Sequence, residues 1–192
     1  MKRRDAILAL LASGALASPF VALGQSRGNV PRIGFLTIRR RGHSLEAAFV
    51  AGMRELGYVD GKNIAIEWRF ADGKEERLPA LAAELVSQRV GLIVAASTQA
   101  IQAAAAATTT IPVIFAANAD PVGAGFVKSL SRPGGNITGL STMAGDLGSK
   151  QIELLRAVVP HLSRIALLIN PTNAGNKQVI KSFENGAREA GV

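Results

Sequence analysis

Hydroxyl, amide and carboxylate side chains gather at four places where an apolar run gives way to polar residues. Thr37 and the segment 38–44 follow the run RIGFLTI. Ser97, Thr98 and Gln99 follow GLIVAA. Asn118, Asp120 and Pro121 follow PVIFAA, and Asn170, Pro171, Thr172 and Asn173 follow RIALLI. Ser97 and Thr98 fall where a helical pattern begins. Their hydroxyls, with the free N–H groups of a first helical turn, can hold an anionic or carboxylate group. The same residues serve equally as ordinary N-caps. Asp120, placed before Pro121, is either a turn former or an acceptor for an amine or hydroxyl. Thr37 and Asn170 offer polar contacts at the ends of their own runs.

Residue sets for bond-making chemistry are scarce. No glycine-rich loop ends in the Lys-Ser/Thr of a phosphate-binding loop, and Gly123-Ala124-Gly125 lacks the third glycine of a dinucleotide site. No Gly-x-Ser-x-Gly elbow occurs. His43 and His161 lie far apart with no paired acidic cluster, so surface or capping roles are expected rather than metal binding. The absence of cysteine excludes disulfides, thiolate metal sites and a lipid-modified cysteine. No cofactor is expected. Polar strand ends without a catalytic set point to binding rather than catalysis.

The elements that would position these residues alternate in period. Short apolar runs at 32–38, 91–96, 112–117 and 164–169 read as buried strands, with an alternating strand at 63–69 and a brief one at 137–140. Helical spacing marks 44–56, 78–88, 99–107, 147–159 and 177–189, and a short helix is expected over 123–130. Ser44 is a candidate cap, and Gly57 and Gly191 are stops. Val192 would begin another strand. Nearly all-apolar strands alternating with helices predict an α/β fold with a doubly wound parallel sheet, covered by helices on both faces. Ligands of open parallel sheets bind beyond the carboxyl ends of the strands, which is where the polar clusters fall. The run Arg132-Pro133-Gly134-Gly135-Asn136 is a turn or linker signal.

The first 24 residues have another character. Lys2, Arg3 and Arg4 precede an apolar stretch from Ala6 to Leu23, and Ala22-Leu23-Gly24 forms a small-x-small site before Gln25. That is the layout of a cleaved secretory signal peptide, and Arg3-Arg4 also resembles part of a twin-arginine signal. A spanning helix is the alternative, interrupted here by Ser13, Gly14, Ser18 and Pro19. Removing residues 1–24 takes away Lys2, Arg3, Arg4 and Asp5, lowering the formal charge from +8 to +6. The dense basic run in the remainder is Arg39-Arg40-Arg41, with no interleaved aromatic residues of the kind single-strand binding uses. A solvated basic surface is expected, not a nucleic-acid partner.

Several segments together resemble the substrate-binding family of ABC transporters related to tryptophan- and tyrosine-binding lipoproteins. They are Ile33-Gly34-Phe35-Leu36, FVAGMRELGYVDGKN over 49–63, Ile66-Glu67-Trp68-Arg69, RLPALAAEL over 77–85, and Ile111 to Phe115. Asp120 to Gly125, SRPGGNITGLS over 131–141 and RIALLINP over 164–171 complete the match. The resemblance implies a type I periplasmic-binding-protein fold, two α/β lobes on a hinge with a small organic solute held between them. Residues 30–136 would form the first lobe and 137–192 the start of an incomplete second. Ser97, Thr98 and Asp120 match first-lobe cleft loops, and Asn170 matches a loop of the facing lobe. The implied protein is periplasmic, soluble and monomeric when intact, with an ABC permease of the inner membrane as partner. It takes an amino-acid-like solute or organic acid and catalyses nothing.

Two departures from the family pattern stand out. Members carry small hydroxyl residues after the first strand, where this sequence has Arg39-Arg40-Arg41-Gly42-His43. An arginine there pairs with a ligand carboxylate or, as expected, forms a solvated rim. Members also run well beyond this length, so a fragment or a truncated gene is expected, with weak or no ligand capture because closure of two lobes sequesters the ligand. The competing readings are a periplasmic sensing domain of a receptor and an exported Rossmann-like enzyme. N-terminal sequencing of the protein secreted by a bacterial host should begin at Gln25. A mature chain that retains Lys2-Arg3-Arg4 would contradict the cleaved leader.

Overall fold

The computed structural model describes residues 30–42, 44–144, 147–171, 173 and 175–192. The expected leader, His43 and Thr172 lie outside the described residues. Five strands make one parallel sheet in the order β2-β1-β3-β4-β5. They are β1 (Arg32–Thr37), β2 (Ala65–Phe70), β3 (Leu92–Ala95), β4 (Val113–Asn118) and β5 (Ile137–Ser141). Helix α1 (Ser44–Glu55) joins β1 to β2, α2 (Leu78–Ser87) joins β2 to β3, and α3 (Thr98–Ala107) joins β3 to β4. Helices α4 (Gly148–Val158) and α5 (Asn176–Ala190) follow β5.

Apolar residues alternate to both faces of the central strands, and each face has its own cover. On one face Leu36, Ile93, Val113 and Phe115 pack with Leu78, Leu81 and Leu85 of α2 and Ile101 and Ala104 of α3. On the other, Ile33, Phe35, Ile66 and Val94 pack with Phe49, Val50 and Met53 of α1. Phe35 lies 4.7 Å from Trp68 and 5.1 Å from Phe49 between ring centroids, which seats α1 on β1 and β2. Each such side chain, fully buried, contributes roughly 1.5–3 kcal/mol. The register is continuous from the edge inward: Phe35 pairs with Trp68 and Val94, Val94 with Ile114, and Ile114 with Thr138.

Strand order reverses at β1. The chain leaves β1 for β2 on one side, then returns past it to β3 on the other. The two loops leaving β1 and β3 therefore diverge to opposite faces and open a crevice between the strand ends.

Two sequence expectations fail. Residues 164–169 do not form a strand: the segment runs without regular pairing, and Leu168 is fully exposed. A parallel strand is stabilised by hydrogen bonds to neighbours, and no described strand lies beside this run. Residues 123–130 make turns instead of a helix. Ala124 N donates to the Asp120 carbonyl oxygen and Phe126 N to that of Pro121. Gly125 then takes φ +76°, which leaves the right-handed helical region.

Backbones approach closely where β5 joins the sheet. A Cβ on Gly139 would overlap the carbonyl oxygen and ring of Phe115, whereas one on Gly135 meets nothing within 4 Å. Gly139→Ala should therefore destabilise the protein by about 1–3 kcal/mol in urea unfolding, as overpacking against fixed backbone does. Gly135→Ala should fall within about 0.5 kcal/mol of the parent.

Candidate functional site

The crevice at the strand ends is a cavity of about 470 Å³. Ile38 and Arg39 after β1, Ala96 to Gln99 after β3, and Ala116 to Ala119 at the end of β4 form its floor and walls. Leu45 of α1, Thr142, Asn170 and Asn173 close the remaining sides. A second, open cavity of about 550 Å³ lies between α4 and α5, lined by Lys150, Glu153, Arg156 and Glu189. Those are charged side chains on a helix surface, far from the strand ends, and we read it as a solvated groove.

Helix α3 starts at the centre of the strand-end cavity. Ser97 is extended (φ −168°, ψ 159°), and its Oγ accepts the Ala100 N–H at 3.1 Å, so the expected N-cap is present. The Thr98 and Gln99 N–H groups precede the first intrahelical bond, that of Ile101 to the Ser97 carbonyl oxygen. Thr98 Oγ1 accepts from Asn118 Nδ2 at 3.3 Å. Asn118 is buried at the last position of β4, and its Oδ1 accepts the Asp120 N–H at 2.9 Å. This one amide ties the end of β4 to the start of α3 and fixes the following turn.

Asn170, Asn173 and Gly175 lie beside the first turn of α3. Asn173 Oδ1 accepts the Gly175 N–H at 3.0 Å, and Asn176 Nδ2 donates to the Asn170 carbonyl oxygen at 2.7 Å. A Cβ added to Gly175 would lie 3.5 Å from Thr98 Oγ1, so Gly175 rests against the first turn of α3.

Of the residues expected from sequence, Ser97, Thr98 and Asn170 line one cavity. Thr37 lies beneath it: it is buried, and its Oγ1 accepts the Arg39 N–H at 3.2 Å. Asp120 faces a separate cavity of about 110 Å³, and its Oδ1 accepts the Gly123 N–H at 2.7 Å, the geometry of a turn former. Gln99 and Asn118, named in the sequence among the polar strand ends but given no binding role there, also line the cavity. Both carried a signal: Gln99 lies one turn from Ala103 on the buried face of an Ala-rich helix, and Asn118 ends an apolar strand. Arg39, expected at a solvated rim, is exposed and also lines the cavity.

The arrangement offers hydrogen-bond donors and apolar walls. Among the described residues no group of three or more His, Cys, Asp or Glu could hold a metal ion, and no helix is long and apolar enough to cross a membrane. Replacing Ser97 by Ala should lower stability by about 1 kcal/mol through loss of the cap. Denaturant titration checks this, and an unchanged midpoint would contradict it.

Residues 43–192 match the family model described as ABC transporter substrate binding protein. The chain is 36% identical over 141 residues to a tyrosine-binding protein of Clostridioides difficile, covering 73% of this chain and 40% of that one. Its structure is similar to an ABC domain in complex with L-Trp from Streptococcus pneumoniae, with a TM-score of 0.76 and 32% identity over 84% of this chain and 55% of that chain. A conserved domain protein from Vibrio cholerae gives a TM-score of 0.77 and 29% identity, covering 85% of this chain and 55% of that chain. The chain thus spans about half the length of these relatives, or less.

Proposed function

The chain belongs to the ABC transporter substrate-binding protein family, and we propose that it captures a small organic solute, amino-acid-like or an organic acid, for delivery to an ABC importer. The observation that carries this reading is the strand-end cavity, where Ser97 and Thr98 of the β3–α3 junction meet Asn170 of a later loop. Its volume, about 470 Å³, falls within the range of small-molecule sites. Amino-acid ligands are supported by the relatives, one bound to L-Trp and one called a tyrosine-binding protein.

In this reading the lobes divide near the turn 132–136. Residues 30–136 form the first lobe, and the stretch 137–192 leads into the second, with β5 still paired to β4. Thr98 and the first turn of α3 hold the polar end of the ligand from one side, and Asn170 contacts it from the other. A ligand touching both sides favours the closed form by its differential affinity for the two states. The closed form docks on a permease in the inner membrane. No bond in the ligand is made or broken, nucleic acid is not a partner, and the intact protein works as a monomer. A cleaved leader places it in the periplasm.

Equilibrium dialysis against labelled L-tryptophan, L-tyrosine and a panel of organic acids tests the proposal. Saturable binding with the ligand recovered unchanged is expected. Thr98→Ala and Asn170→Ala should each weaken it by about fivefold to tenfold, the loss of one hydrogen bond. Conversion of a ligand to product would overturn the reading, as would binding indifferent to both substitutions.

A further inference from the structure

Building on the solute-binding reading, we infer that the buried Gln99 side chain is a ligand contact: its amide donates to the carboxylate end of the solute, which the first turn of α3 receives. Four polar side chains are buried among the described residues: Thr37, Gln99, Thr108 and Asn118. Three of them are bonded within the fold. Thr37 Oγ1 accepts the Arg39 N–H, Thr108 Oγ1 accepts the N–H groups of Thr110 and Ile111, and Asn118 bonds Thr98 and the Asp120 N–H. Gln99 differs. It is 7% exposed, and its side chain makes no hydrogen bond to a described residue.

Gln99 also lines the strand-end cavity. Among the described residues, the polar side-chain atom fully enclosed without a partner is Gln88 Oε1, at the C-terminus of α2. The Gln99 amide is not sealed in that way and opens onto the cavity. A buried amide is costly to leave unsatisfied, and a ligand in the cavity is placed to bond it.

The packing of α3 does not call for a glutamine. Its other buried residues are Ala100, Ile101, Ala103 and Ala104. An apolar side chain of similar length would fill the space without stranding an amide. Gln99 therefore costs the free protein stability, as residues kept for binding do.

The neighbouring groups decide which end of the solute it meets. Thr98 and Gln99 present backbone N–H groups ahead of the first intrahelical bond. Thr98 Oγ1 accepts from Asn118, which leaves its hydroxyl proton to donate. These donors stand at the positive end of the helix dipole and favour an oxygen that carries negative charge. The Gln99 amide, in the same helical turn, adds an N–H donor to that set.

NMR titration of the 15N-labelled protein with L-tryptophan, L-tyrosine and indole-3-propionate reads the contact directly, because a glutamine amide gives its own cross-peaks. The Gln99 Nε2 cross-peaks should shift with at least one probe, one proton moving downfield as it enters a hydrogen bond. Gln99→Met should weaken that probe by about fivefold to tenfold and leave the urea midpoint unchanged or raised. Gln102→Met, at an exposed position of the same helix, should alter neither. Backbone shifts at Thr98 and Asn170 with the Gln99 cross-peaks unmoved would overturn this inference and leave solute binding intact. Full affinity in Gln99→Met would do the same. So would a lowered midpoint, which would show that the amide already has a partner in the free protein. No response to any probe would overturn both.

Discussion

The reversal of strand order at β1 governs the site. Because β2 and β3 flank β1, the loops leaving β1 and β3 turn to opposite faces, and the ends of these strands are left open. A parallel sheet directs every carboxyl end the same way, so Arg39, Ser97 and Asn118 arrive at one edge from distant parts of the sequence. The register does the fine positioning: Leu36 pairs with Ala95 and Ala95 with Phe115, placing the three exits side by side. The apolar layers beneath α1 and beneath α2 and α3 hold that register, since a slip by one residue would turn each strand's core side chains to the wrong face.

The polar chemistry above the sheet is economical. Asn118 donates to Thr98 and accepts from Asp120, so one buried amide joins β4, α3 and the turn at 120–123. Thr37 does the same for the first loop by accepting from Arg39. These residues are scaffold more than contact, and they keep the first turn of α3 and the Arg39 loop facing one space. A binding protein needs such a preformed half-site, because only interactions that differ between open and closed forms can drive closure.

How much was legible in the sequence followed from how local the signal was. Strands β1, β3 and β4 were readable as apolar runs, and α2 and α3 as periodic segments, because burial on both faces leaves a composition that survives in a short window. Ser97 was readable as a cap for the same reason. The run 164–169 has an equally apolar composition yet stands unpaired, with Leu168 exposed. Composition reports that a segment suits a sheet and says nothing of whether a neighbour is there to bond it. The 123–130 segment failed through one backbone angle, at Gly125. Within the site, charge drew attention to Asp120 while Asn118, two residues earlier, lines the cavity. β4 ends at Asn118 and Asp120 falls in the turn beyond it, bonded to the Gly123 N–H, and where a strand stops is not displayed by its composition. Arg41 lies over the Phe70 ring, another contact between residues far apart in the chain that no short window displays.

A crystal structure of the protein grown with L-tryptophan or indole-3-propionate bears most directly on the central claim. The account predicts ligand density between the first turn of α3 and the loop at Asn170, with the carboxylate within hydrogen-bond reach of Thr98 or Gln99. Density confined to the groove between α4 and α5, or to the surface away from the strand ends, would contradict it.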